Sequence, residues 1–271
     1  MMARAQHAFA PSRRGTRHLG GFKFLSLGRT HAGCVRALNE DAYLDRREVG
    51  LWAVADGMGG HECGEVASAR VIDGLAAVTT FGSAYAFRHG VCNSLQQANE
   101  ALVEQAATRL SGAIGATVVS MLVYQGHYAC VWAGDSRAYL YRAGEVRRLT
   151  RDHSVVQALV DAGELRQDNV RHHKQANVVT RAVGAHPTLE LESVHGRIQA
   201  GDRFLLCSDG LTAVLGDGEI GDLMKRSPLQ AAVDGLIARA ISRGAPDNVT
   251  VVVITAESMT PRDGGGFDAL D

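Results

Sequence analysis

The chain reads as an α+β domain built on antiparallel sheet, and three observations carry that reading. Short β-rich runs follow one another across turns too tight to join parallel strands. Two longer stretches repeat apolar residues every three or four positions, the spacing of helices that cover a sheet. Four aspartates stand where strand-like runs end or begin: Asp56, Asp135, Asp209 and Asp247.

Taken in order, residues 22–29, 42–44 and 51–55 are the first strands. The third runs into Asp56-Gly57-Met58-Gly59-Gly60, whose glycines let the chain pass close to an ion or phosphate. A helix over 62–80 carries Ala67, Val71, Leu75 and Val78 on one face, and a second over 91–110 carries Val91, Leu95, Ala98, Leu102, Ala106 and Leu110. Strands at 116–124 and 128–133 flank Gln125-Gly126, and strands at 138–142 and 146–149 flank Ala143-Gly144-Glu145. Residues 153–177 break the β pattern. They start weakly helical, turn polar, and are expected to form an inserted flap, with His172 and His173 as surface residues. Strands at 204–207 and 249–255 then enclose a helix at 231–241. No repeat or composition break divides the chain.

Its 271 residues suit one large domain, and 46% hydrophobic with 21% charged residues is ordinary for a soluble protein. A net charge of −1 gives no basis for nucleic-acid or anionic-membrane binding. Seven basic residues, from Arg4 to Arg36, precede the first acid, Glu40. Residues 1–20 are therefore expected to be a mobile basic tail, with a mitochondrial presequence as the alternative. The main domain is placed at 21–256, and 257–271 is expected to fray around Pro261 and three consecutive glycines. No signal peptide or 18-residue apolar run is visible. Five scattered cysteines without a C-x-x-C suggest reduced thiols and a cytoplasmic protein.

Several carboxylates without a matching His/Cys set favour Mg²⁺ or Mn²⁺ over zinc. One Asp-Gly after a strand is usually only a turn. Here Asp56-Gly57 recurs as Asp209-Gly210, and Asp135 and Asp247 flank further apolar strands, which points to a metal cluster at one sheet edge. Arg36 adds a guanidinium suited to phosphate oxygens, with Glu40 and Asp41 close behind it. Competing readings fail. A dinucleotide loop would need glycine where Glu62 stands. His61 and Cys63 have no second ligand pair for zinc. No Gly-x-Ser-x-Gly elbow is present.

In this order, Arg36 with Glu40 and Asp41, Asp56-Gly57-Met58-Gly59-Gly60, Gly115-Ala116-Thr117, Gly134-Asp135-Ser136-Arg137, Ser208-Asp209-Gly210-Leu211 and Asp247-Asn248 resemble the PP2C (PPM) metal-dependent Ser/Thr protein phosphatases, bacterial branch. The match spans Arg36 to Val253. The resemblance implies a four-layer α-β-β-α sandwich of two antiparallel sheets. It also implies two Mn²⁺ or Mg²⁺ ions bridged by Asp56, with the Gly57 carbonyl on one and Asp209 and Asp247 completing the other. Asp135 with Asp209 would hold a third, weaker ion. Glu40 would hold a metal-bound water, and Arg36 the substrate phosphate. The implied catalytic set is Arg36, Asp56 and Asp209.

The implied reaction is hydrolysis of phosphoserine and phosphothreonine by a metal-bridging water, opposing a bacterial Ser/Thr kinase in signalling or secretion control. The implied partner is a phosphorylated protein, acted on by a monomer. A silent phosphoprotein-binding module and a phosphatase of small phosphate esters are the alternatives. One position departs from many eukaryotic members: the residue after Asp56-Gly57 is Met58, not a proton-donating His. A water at the third ion would have to substitute, with His61 as a second candidate.

Overall fold

The structure is a computed structural model and describes residues 19–59, 63–79, 82–108 and 114–259. The elements among them are β1 (Phe22–His31), β2 (Asp41–Arg46), β3 (Leu51–Met58), α1 (Cys63–Ala76), α2 (Ala84–Ala107), β4 (Gly115–Ala116), β5 (Val118–Tyr124), β6 (His127–Ala133), β7 (Arg137–Arg142) and β8 (Glu145–Arg148). After these come α3 (Val155–Asp161), a 3₁₀ turn (Gln167–His172), β9 (Glu192–Arg197), β10 (Arg203–Cys207), α4 (Asp209–Thr212), α5 (Asp217–Met224), α6 (Leu229–Ser242) and β11 (Val249–Ser258).

One sheet runs β1-β11-β10-β7-β8. The other runs β2-β3-β5-β6-β9, with β4 on β3. Every ladder is antiparallel. Strands buried on both faces need two covers, and the three cores show them. Trp52, Val119, Met121, Phe204, Val252 and Ile254 fill the space between the sheets. Leu51, Ala53 and Val118 turn the other way onto α1 and α2, meeting Ala67, Val71, Leu95 and Leu102. Leu205, Val251 and Val253 meet Leu223, Val233 and Leu236 of α5 and α6. This is the α-β-β-α sandwich implied by the resemblance. Each fully buried Leu or Val contributes about 1.5–3 kcal/mol relative to exposure.

The differences from the sequence reading have local causes. Helix α2 starts well before residue 91, because the Ser83 side chain accepts from the Ala86 amide and caps it there. Both short hairpins close on two residues with positive φ, Gln125-Gly126 (46° and 72°) and Ala143-Gly144 (52° and 93°), so Glu145 belongs to β8 opposite Arg142. Leu19 is already buried in the intersheet core, and residues 1–18 of the expected tail lie outside the described residues. Strand β11 continues to Ser258 because Phe22 and Lys23 supply ladder partners for Ser258 and Glu257. The rest of the expected frayed segment, from 260, lies outside the described residues. The sequence reading lacked β9, α4 and α5, all short. Among the described residues no helix is long and apolar enough to cross a membrane, and no cysteine pairs in a disulfide.

Candidate active site

Antiparallel alternation brings the site together. Strand β10 leaves the first sheet at Cys207, opposite Arg137, where β7 enters, and opposite Val251 near the start of β11. Asp209, the first residue of α4, and Asp135 and Asp247, in loops, therefore lie at one edge. In the second sheet Asp41 pairs directly with Asp56, and β6 leaves at Ala133, opposite Val118 where β5 enters. The Gly134-Asp135-Ser136 turn crosses from β6 in one sheet to β7 in the other at this same edge.

Asn248 fixes the Arg36 loop. Its side-chain amide donates to the Ala32 and Leu38 carbonyls at 3.0 and 2.9 Å and accepts from the Glu40 amide at 2.8 Å. Arg36 Nη2 then donates to Asp247 Oδ2 at 2.7 Å, with the two side chains 53% and 32% exposed. The end of β3 packs against the start of α1 so closely that a Cβ on Gly57 would lie 2.0 Å from the Gly64 carbonyl oxygen, and a Cβ on Gly64 would strike the Glu40 carboxylate. Glycine at both positions is what permits this approach.

The carboxylates are crowded and under-neutralised. Asp41 Oδ2 accepts from Ser208 Oγ at 2.7 Å and Thr250 Oγ1 at 2.6 Å, while its Oδ1 is buried with no hydrogen-bond partner. Asp209 Oδ1 is likewise buried and unpartnered. Burial, with the nearby Asp209 and Asp247 charges, pushes Asp41 up to about 7 against the pull of its two hydroxyl donors. Burial and neighbouring aspartates also raise Asp56, Asp135 and Asp209. Asp56 and Asp209 are in side-chain hydrogen-bond contact.

Among the described residues no three His, Cys, Asp or Glu side chains already surround a single ion position. The fit to a cation rests instead on the unbalanced charge and the two orphaned oxygens. Five aspartates facing two guanidiniums, Arg36 and Arg137, the second already paired with Asp152, are a poor resting state unless protons or metal ions enter. All the donors are oxygens, which suits Mg²⁺ or Mn²⁺.

The Asp135 turn is held from several sides. Thr117 Oγ1 lies 2.7 Å from Ser136 Oγ, and the Thr117 amide donates to the Asp56 carbonyl at 2.8 Å, so the Gly115-Ala116-Thr117 motif links Asp56 to Asp135. Gly134 has φ +114°, and a Cβ there would strike Thr117 at 2.5 Å. Arg137 makes a two-pronged contact with Asp152, at 3.0 and 2.7 Å. A cleft of about 480 Å³ opens beside Asp135 and Asp209, with Gln167, Val170 and Arg171 of the flap on its far wall. Arg171 donates to the Thr212 and Leu215 carbonyls, which ties the flap to α4 and the loop after it. Met58 is half-buried and pairs with Gly115 across the β3–β4 ladder. His61 lies outside the described residues.

Sequence reasoning therefore located Arg36, Glu40, Asp56, Asp135, Asp209 and Asp247 at one edge. It did not assign the buried Asp41, its hydroxyl partners Ser208 and Thr250, or His153 behind the Asp135 turn. A carboxylate register-paired with Asp56 was the available signal for Asp41.

The Protein phosphatase 2C family model matches residues 19–159. The chain belongs to the protein phosphatase 2C family. The serine/threonine protein phosphatase PstP of Mycobacterium tuberculosis is 38% identical over 231 residues, 83% of this chain and 43% of PstP, so the chain spans under half the length of that relative. The structure of the PstP catalytic domain in complex with two manganese ions has 34% identity and a TM-score of 0.78, covering 87% of this chain and 99% of that one. PppA, described as a key regulatory component of the type VI secretion system of Pseudomonas aeruginosa, has 42% identity and a TM-score of 0.80, covering 86% and 97%. The protein phosphatase 2C fold accounts for both sheets and all three cores described above.

Proposed function

We propose that this chain is a metal-dependent phosphoprotein phosphatase acting on phosphoserine and phosphothreonine. The observation that carries the reading is the gathering of Asp41, Asp56, Asp135, Asp209 and Asp247 at one sheet edge, with two buried carboxylate oxygens unpartnered and the Arg36 guanidinium paired with Asp247 beside them. Asp56 and the Gly57 carbonyl, Asp209 and Asp247 would hold two Mn²⁺ or Mg²⁺ ions, Glu40 would hold a water of that site, and Asp135 with Asp209 would hold a third ion more weakly. When bound, such ions lower the pKa of water to give a nucleophile and neutralise charge on the phosphoryl oxygens.

Arg36 faces two phosphoryl oxygens and fixes the phosphorus for in-line attack. Asp41, held by Ser208 and Thr250, stiffens the strand pair that carries Asp56. Met58 has no proton to give, so the leaving oxygen takes its proton from water in the site. The exposed placement of Arg36 supports a protruding phosphoresidue as substrate. The PppA likeness supports a role in secretion control, and we take the enzyme to be a cytoplasmic monomer that opposes a Ser/Thr kinase.

The test is hydrolysis of a phosphothreonine peptide with Mn²⁺, with and without EDTA, beside a panel of sugar phosphates. Turnover of the peptide that needs Mn²⁺ is the expected result. Preference for sugar phosphates, or peptide binding without turnover, points to the two alternatives. Full activity in metal-free protein overturns the reading.

A further inference from the structure

One buried titratable group has no part in the reaction above. His153 is the first residue of the flap segment and is 7% exposed. Its ring lies parallel to the Trp132 indole, with centroids 6.0 Å apart and planes at 17°. Two of its hydrogen bonds converge on Gly134. The His153 amide donates to the Gly134 carbonyl at 2.9 Å, and the Gly134 amide donates back to His153 Nδ1 at 3.2 Å. On the far side of the ring, Nε2 lies 3.2 Å from Glu192 Oε1, which also accepts from Arg181 Nη1 at 2.9 Å. Arg181 Nη1 is itself 3.4 Å from Nε2. The Thr180 amide donates to the His153 carbonyl at 2.8 Å, and Ser154 bridges Val179, so the two ends of the flap are joined at this residue.

We propose that His153 is a positioning residue, whose ring and main chain clamp Gly134 from both sides and thereby set the place of the adjacent Asp135 in the weaker metal site. The inference rests on the proposed role of Asp135 as a metal ligand. A histidine buried only for packing needs its volume and its stack on Trp132. This one also closes a two-way hydrogen-bonded pair with a glycine held at φ +114°, where main-chain hydrogen bonds replace side-chain packing as the restraint. Burial, and then the Arg181 charge, lower the ring's pKa, which leaves Nδ1 free to accept. Glu192 holds the other nitrogen and so fixes the ring's orientation.

Two substitutions separate the acceptor from the volume. His153→Asn keeps an acceptor at the place of Nδ1. His153→Phe keeps the ring on Trp132 and removes the acceptor. Mn²⁺ binding is measured directly, by calorimetry and by the electron paramagnetic resonance signal of free Mn²⁺, beside the Mn²⁺ dependence of aryl phosphate turnover. Asp135→Asn is the control and is expected to abolish the weakest bound Mn²⁺. His153→Phe is expected to weaken that same site about fivefold or more, the scale of one missing hydrogen bond, with the tighter sites unchanged. His153→Asn is expected to stay within about twofold of the parent.

Wild-type binding in His153→Phe while Asp135→Asn loses an ion overturns the inference and leaves the role of Asp135 standing. Equal losses in the Phe and Asn variants also overturn it, by assigning the effect to packing. Unchanged binding in Asp135→Asn overturns the ligand role and the inference together. If His153→Phe lacks a cooperative melt, Glu192→Leu on the partly exposed β9 edge decides. It is expected to weaken the same site about twofold or more, and unchanged binding there overturns the inference.

Discussion

Replacing Arg36 with alanine tests the substrate-binding half of the reading, and the structure sets its size. Within the free protein the substitution removes little. Arg36 and Asp247 are 53% and 32% exposed, so their 2.7 Å pair is screened and contributes no more than about 1 kcal/mol. The bond to substrate is worth more, because a charge-assisted, two-pronged interaction with phosphate contributes about 1.5–3 kcal/mol. Since Arg36 must leave Asp247 to reach phosphate, the net effect of the substitution is about 0.5–3 kcal/mol, a factor of about 2 to 150 in affinity. We expect KM for a phosphothreonine peptide and the inhibition constant for inorganic phosphate to rise together by that factor, with an unchanged melting temperature. Arg36→Lys should recover only part, because an ammonium cannot span two oxygens. If KM and phosphate inhibition are both unchanged in Arg36→Ala, Arg36 is only a surface charge paired with Asp247, and the phosphate site lies elsewhere.

The carboxylates supply the remaining predictions. Asp56→Asn or Asp209→Asn should lower kcat by about 10²-fold or more while the protein stays folded, since each change removes a metal ligand and relieves repulsion at once. Wild-type turnover in either variant removes that residue from the site. Metal-free protein should also show an inverted pH dependence of stability. Burial raises Asp41 to about 7, and Asp56, Asp135 and Asp209 move the same way, so the folded state holds protons that the unfolded chain releases near pH 4. The Asp41 contribution is complete below about pH 4 and is lost as pH rises through about 7, and the other three act in the same direction. Thermal melts in chelator should therefore be higher at pH 6 than at pH 8, and excess Mg²⁺ should remove the difference. A metal-free protein that is more stable at pH 8 contradicts the assignment.

The strands were legible because most are buried on both faces or on a strict alternation. Leu51–Ala55 and Val249–Ile254 contain hardly a polar residue, and a central strand between two covers requires that. Strand β9 was not legible, because Glu192–Arg197 is an edge strand of alternating partial exposure with only one aliphatic side chain, Val194, to mark it. The early start of α2 depends on a capping serine whose signal is weak without the residues it caps. Helix α5 is eight residues long, too short for its period to stand out, although Ile220, Leu223 and Met224 are buried.

For the site, the same physics explains what could be seen and what could not. The four aspartates proposed as metal ligands sit at or beside strand ends, where the backbone turns and charge can face an opening, so strand-end position marked out Asp56, Asp135, Asp209 and Asp247. Asp41 sits at a strand end too, but its assignment depends on register. Only the pairing of Asp41 with Asp56, and the arrival of Ser208 and Thr250 from the other sheet, shows that it is enclosed. His153 is harder still. In the sequence it reads as the opening of an insert that starts weakly helical and then turns polar. Its actual partner, Gly134, is 19 residues earlier and in a different motif. The functional carboxylates announce themselves by composition and punctuation, whereas the residues that hold them in place are defined by long-range contacts that only the folded sandwich creates. Those supporting residues are where substitutions should alter metal affinity without touching a ligand.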